Sequence, residues 1–146
     1  MACSCLMEIP FTGGCLCGAF RYVCRAHPLS MHNCHCRDCQ QVTGGAYAPV
    51  LVVPLSALEI PATGHLQRHV TIRINGRRNV RGFCATCGSP VTVGEDPERD
   101  RIGLMAGSLD NPAVFRPARN IFLCDAQPWD VMDTALPQYP NYAPRR

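Results

Sequence analysis

Apolar and polar positions alternate with a period of two along several short stretches, the spacing of strands whose side chains point to opposite faces. Residues 19–24 (Ala-Phe-Arg-Tyr-Val-Cys) carry it. So do residues 66–74, where Val70, Ile72 and Ile74 alternate with His69, Thr71 and Arg73, predicting a half-buried strand. Asn75-Gly76 follows, a strong hairpin signal, and predicts a return strand over residues 78–83. Residues 46–53 are small, aromatic or β-branched and predict a buried strand. Shorter strands are expected over residues 31–34, 58–60, 91–93 and 102–105, with a charged loop over 95–101. Only residues 38–42 suggest a helix, a single turn ended by Thr43-Gly44-Gly45, and Gly13-Gly14 is expected to break the chain. The 12 glycines and 13 prolines fit a fold of many turns and few helices, so the expected class is mainly β.

The chain of 146 residues suggests one domain, placed at residues 12–130, with an N-terminal tail over 1–11 and a C-terminal tail over 131–146. The proline-rich end, from residue 137 on, is expected to be loosely held. The N-terminus lacks a basic region and carries Glu8 where a signal peptide needs an apolar run, and no stretch is apolar enough to span a membrane. A cytoplasmic location is therefore expected, with no membrane partner. The net charge is +3 and all fourteen basic residues are arginine, too mild a balance to argue for nucleic acid. Between Glu59 and Glu95 there is no acidic residue, while Arg68, Arg73, Arg77, Arg78 and Arg81 all occur. That stretch offers a carboxylate clamp or, more simply, a solvated hairpin face. Exposed strand edges leave room for a homodimer. Trp129 is a candidate for core packing or for lining a pocket.

Eleven cysteines change the picture. Their number is odd, no export signal accompanies them and their spacing is tight, which favours metal over disulfides. Cys15-x-Cys17 and Cys84-x-x-Cys87 are two ligand pairs, each followed by a glycine, Gly18 or Gly88, that permits positive φ and lets backbone amides turn toward sulfur. Four thiolates around zinc make a closed structural site; iron is the competing metal. Cys34, Cys36 and Cys39 make a second cluster. Three ligands leave one position open, as in catalytic zinc sites, and a substrate thiol is a natural fourth ligand. Alternatives are a second structural site completed by His35, His32, Cys24 or Cys124, or a redox-sensing thiol cluster. Cys24 and Cys124 otherwise read as buried small hydrophobes, and Cys3 and Cys5 carry no assignment.

Three blocks carry a family resemblance: Gly14-Cys15-Leu16-Cys17-Gly18-Ala19, then Cys34-His35-Cys36-Arg37-Asp38-Cys39-Gln40 with Thr43-Gly44, then Phe83-Cys84-Ala85-Thr86-Cys87-Gly88-Ser89-Pro90. In this order they resemble the glutathione-dependent formaldehyde-activating enzyme family, which includes the centromere protein V domain. The resemblance spans roughly residues 12–129. It implies an Mss4-like fold of stacked antiparallel sheets organised around zinc. It implies two zinc ions per chain: a structural one on Cys15, Cys17, Cys84 and Cys87, and a catalytic one on Cys34, Cys36 and Cys39. It also implies carbon–sulfur lyase chemistry, run in reverse to join glutathione and formaldehyde into S-(hydroxymethyl)glutathione. Where many members have a His-Ile-Trp-like segment, this chain has Asn120-Ile121-Phe122. Another thiol or carbonyl substrate, or a non-catalytic zinc binding module, are the alternatives.

Overall fold

Ten strands and one short helix make up the computed structural model, which describes residues 7–62 and 64–144. The strands are β1 (Phe11–Gly14), β2 (Arg21–Cys24), β3 (Ser30–Cys34), β4 (Ala48–Val53), β5 (Leu58–Glu59), β6 (Leu66–Ile72), β7 (Arg78–Cys84), β8 (Pro90–Asp96), β9 (Arg101–Met105) and β10 (Asn120–Ile121). The helix α1 spans Arg37–Thr43. A three-stranded antiparallel sheet runs β1-β2-β5, and a seven-stranded sheet runs β10-β3-β4-β9-β8-β7-β6. Every pairing is antiparallel except β10 with β3.

The period of two in β4 and β9 separates the large sheet into two faces. Leu51 and Val53, opposite Leu104 and Ile102, point into a core shared with Phe20, Tyr22 and Cys24 of the small sheet. Val50, Val52 and Val93 point the other way, into a second core built on Cys34, Cys39, Met105 and Ile121. Gly103 lies in this second layer, where a Cβ would come within 2.8 Å of both Val50 Cγ1 and Val93 Cγ1. The valines close over a position that only glycine leaves free. Cys15 and Cys84 belong to the first core, so the two cysteine clusters sit on opposite faces of one sheet.

The hairpin forms as expected: Ile72 pairs with Arg78, and Gly76 turns at φ +77°. The helix runs one residue further at each end than expected, with Cys36 as its N-cap and Gly44 ending it at φ +72°. Other expectations need correction. Gly13-Gly14 does not break the chain but lies inside β1, where Gly13 lets Tyr22 Oη and the Ser108 carbonyl approach. The strand over 66–74 is not half-buried by its apolar alternation: Val70, Ile72 and Ile74 are exposed. β6 is the edge of the large sheet, and nothing among the described residues covers that face. The charged segment 95–101 is a continuation of β8, a 3₁₀ turn at Pro97–Arg99 and the start of β9. Trp129 is 63% exposed, outside both cores.

The proline-rich end is tied down rather than loose. The Asn120 amide donates to the Pro137 carbonyl at 2.9 Å and the Tyr139 amide returns to the Asn120 carbonyl at 3.0 Å. The Phe122, Leu123 and Cys124 amides donate to the carbonyls of Asn141, Tyr139 and Pro140. Strand β10 is only two residues long and escaped the sequence reading. No helix is long and apolar enough to cross a membrane. Cys3 and Cys5 lie outside the described residues, as does most of the expected N-terminal tail, although Met7 already packs into the first core.

Candidate metal centres

Cys15 and Cys17 follow β1 in a tight turn that Gly18 completes at φ +79°, and Cys84, the last residue of β7, opens a matching turn through Cys87 that Gly88 completes at φ +75°. The four sulfurs lie within 4.8 Å of one another. Cys15 Sγ is 3.6 Å from Cys17 Sγ, and Cys17 Sγ is 3.8 Å from Cys84 Sγ. Four sulfurs held tetrahedrally about 2.3 Å from zinc stand about 3.8 Å apart, so the donor set fits the ion. The backbone supports it as well: the Phe20 amide donates to Cys15 Sγ at 3.2 Å and the Thr86 amide to Cys84 Sγ at 3.4 Å. Such donors favour thiolate. The Ser89 hydroxyl, followed by the Ser89 backbone, pulls the Cys87 thiol down to about 5. All described cysteines are free thiols.

The second cluster gathers Cys34 at the end of β3, Cys36 at the N-cap of α1 and Cys39 within it, again with sulfurs inside 4.8 Å. Cys34 and Cys39 are buried, leaving Cys36 as the partly open member. Hydrogen bonds from Cys34 and then Cys39 draw the Cys36 thiol down to about 2, while Cys34 is pushed up as the donor to both neighbours. Three sulfurs this close on one short loop form a soft donor set suited to a thiophilic cation.

Among the described residues, no fourth cysteine, histidine or carboxylate joins this cluster. His35 is fully buried, its Nε2 3.0 Å from Asp130 Oδ2 and its ring 5.1 Å from Tyr47. Cys24 is buried in the other core, and Cys124 is exposed beside Asn141 instead of buried. His32 has no ligand atom in the group either. The loop itself is braced by Gln40, whose Nε2 donates to the His35 carbonyl at 2.6 Å and the Asp125 carbonyl at 2.9 Å. Phe122, Tyr139 and Ala143 pack against the same core.

Of the hairpin arginines, Arg68 pairs with Glu95 at 2.8 Å and Arg77 with Asp96 at 3.0 Å, on the surface. Arg73 reaches Tyr142 Oη at 3.1 Å and Asn79 Oδ1 at 2.8 Å. Arg81 alone is buried, with Nη1 3.4 Å from Asp38 Oδ2. Asn120 is fully buried and spent on structure: its Oδ1 accepts from Asn33 Nδ2 at 3.1 Å and its Nδ2 donates to the Asp133 carbonyl at 3.1 Å. Sequence reasoning singled out neither Asp130 nor Asn33. Asn33 lies in an expected short strand that gives no sign of its partner, and Asp130 in a stretch with no pattern of its own.

A family model described as glutathione-dependent formaldehyde-activating enzyme matches residues 10–125. The chain belongs to this family. The matched stretch contains all seven cysteines of the two clusters. A crystal structure of a Rhodobacter sphaeroides protein is similar in fold, with a TM-score of 0.52 and 20% identity, covering 68% of this chain and 87% of that one. No curated protein matches the chain.

Proposed function

We propose that the protein joins formaldehyde and glutathione to give S-(hydroxymethyl)glutathione, with zinc on Cys34, Cys36 and Cys39 at the reacting site and a structural zinc on Cys15, Cys17, Cys84 and Cys87. The observation that carries this reading is the three-sulfur cluster without a fourth donor among the described residues, in a chain of this family. When bound, zinc would supply Lewis acidity that holds a thiol as thiolate near neutral pH. In the reaction the sulfur–carbon bond forms, the carbonyl π pair passes to oxygen, and the proton lost from the thiol ends on that oxygen. The reverse direction is a carbon–sulfur lyase.

The chain's own residues hold and shield the site. Burial of Cys34 and Cys39 leaves approach from the Cys36 side, and Gln40 fixes the loop that spaces the three sulfurs. Phe122 and Tyr139 keep water from the buried flank. No further side chain needs to act as nucleophile, so the gain over the unaided reaction comes from positioning and thiol activation.

Asn120 favours one second reading, a different thiol or carbonyl substrate on the same site. The family resemblance implies a histidine at this position, and the polar atoms of Asn120 are used up inside the fold. The test is metal content per chain, before and after a mild chelator with and without glutathione, followed by a formaldehyde-consumption assay. Two zinc ions, one chelator-labile and shielded by glutathione, with formaldehyde-dependent product, support the first reading. Shielding by thiols without formaldehyde turnover selects the second. A single tight zinc indifferent to glutathione removes both and leaves a binding module.

A further inference from the structure

Arg81 is an uncommon object, a guanidinium 6% exposed in a β-rich core. It stands on β7 directly opposite Val93 of β8, and cross-strand partners share a face. Val93 packs against the core that holds Cys34 and Cys39, which puts Arg81 on the same side as the open cluster. Its Nη1 lies 3.4 Å from Asp38 Oδ2, and Asp38 sits in α1 between Cys36 and Cys39. The same nitrogen donates to Thr71 Oγ1 at 3.2 Å. Asp38 is half exposed, so water screens it more than it screens the arginine. The ion pair with Asp38 therefore brings the buried guanidinium to the turn of α1 that carries Cys36 and Cys39.

We propose that Arg81 is the counter-charge that makes the open site select an anionic fourth ligand over a neutral one. This rests on the metal reading of Cys34, Cys36 and Cys39. Three thiolates around a divalent cation already carry one net negative charge, and an anionic ligand adds a second. In a partly buried site that second charge is expensive without a nearby cation. Arg81 offsets it, and Asp38 tempers Arg81. A neutral ligand adds no charge and is indifferent to the arginine. The substrate class this selects is a thiol that binds as thiolate, rather than an alcohol or amine.

The test uses protein loaded with Co²⁺, whose visible spectrum reports ligand exchange, at mildly alkaline pH where imidazole is neutral. Azide is the anionic probe and imidazole the neutral one. Arg81→Met is expected to weaken azide about tenfold and leave imidazole within about twofold. Arg81→Lys, which keeps the charge, is expected to stay near wild type for both. Asp38→Asn is expected to tighten azide a few-fold. If Arg81→Met weakens both probes equally, or neither, the counter-charge role is overturned while the open site stands. If the wild-type chain takes up only one Co²⁺, the open-site reading fails, and the role of Arg81 falls with it.

Discussion

Cys84 and Cys36 belong to clusters of different kinds, and single substitutions separate them. Cys84 is fully buried in the first core, and its cluster brings residues 84–87 to residues 15–17. With the proposed structural zinc, whose binding energy would be part of the folding energy, Cys84→Ser is expected to abolish the folded circular-dichroism signal at room temperature. Cys36→Ser is expected to remain folded and lose one metal ion per chain, read by plasma mass spectrometry. Asn120→Ala strands Asn33 Nδ2 in the interior and removes the hydrogen bond to the Asp133 carbonyl. It is expected to cost about 1–3 kcal/mol in urea unfolding. All seven candidate ligands were legible from spacing, since two thiols separated by one or two residues can meet a single ion whatever surrounds them. Arg81 and Asn120 were visible as residues but not as environments. Burial and partners arise from strands far apart in sequence.

Elements were readable where local chemistry decided them. Asn75-Gly76 dictates its own turn, and Gly44 stops α1 through a left-handed φ. Strand β10 has two residues and no rhythm, and exists because β3 and the chain end flank it. The alternation in β6 was real but its meaning was not local, since an edge position left the apolar face uncovered. The small sheet is fastened by Asp110, whose carboxylate accepts from Arg21 and from Thr12 Oγ1. Arg21 first, then Thr12, holds the Asp110 carboxyl below its ordinary value. A depressed carboxyl stabilises the fold above its unfolded pKa and loses that contribution as pH falls through the folded value. Asp110→Asn is thus expected to cost roughly 0.2–1 kcal/mol at neutral pH, the pair being half exposed. The gap to wild type should close in acid and shrink in high salt, as followed by thermal melts.

At the scale of the molecule, one sheet with two working faces holds the two clusters apart. The chain end completes the second face, where Tyr139 and Ala143 pack. Deleting residues 137–146 is expected to lower the melting temperature, by roughly 2–4 °C for each kcal/mol lost in a chain of this size. It should also make the second metal more labile to chelator and leave the first unchanged. The mainly β class was legible from turns and alternation, whereas the division into two sheets depends on pairings such as β2 with β5 that no local signal announces.

The two clusters also differ in how much chain must exist before they can form. The sulfurs of one all lie within residues 34–39, while the other waits for residue 87 to meet residue 15. During synthesis the short cluster can capture an ion while the second half of the chain is still unmade. The long one closes only when the sheet does. On the metal assignment proposed above, a cell short of metal would accumulate chains loaded at the short cluster and unfastened at the long one, with the order of filling set by translation.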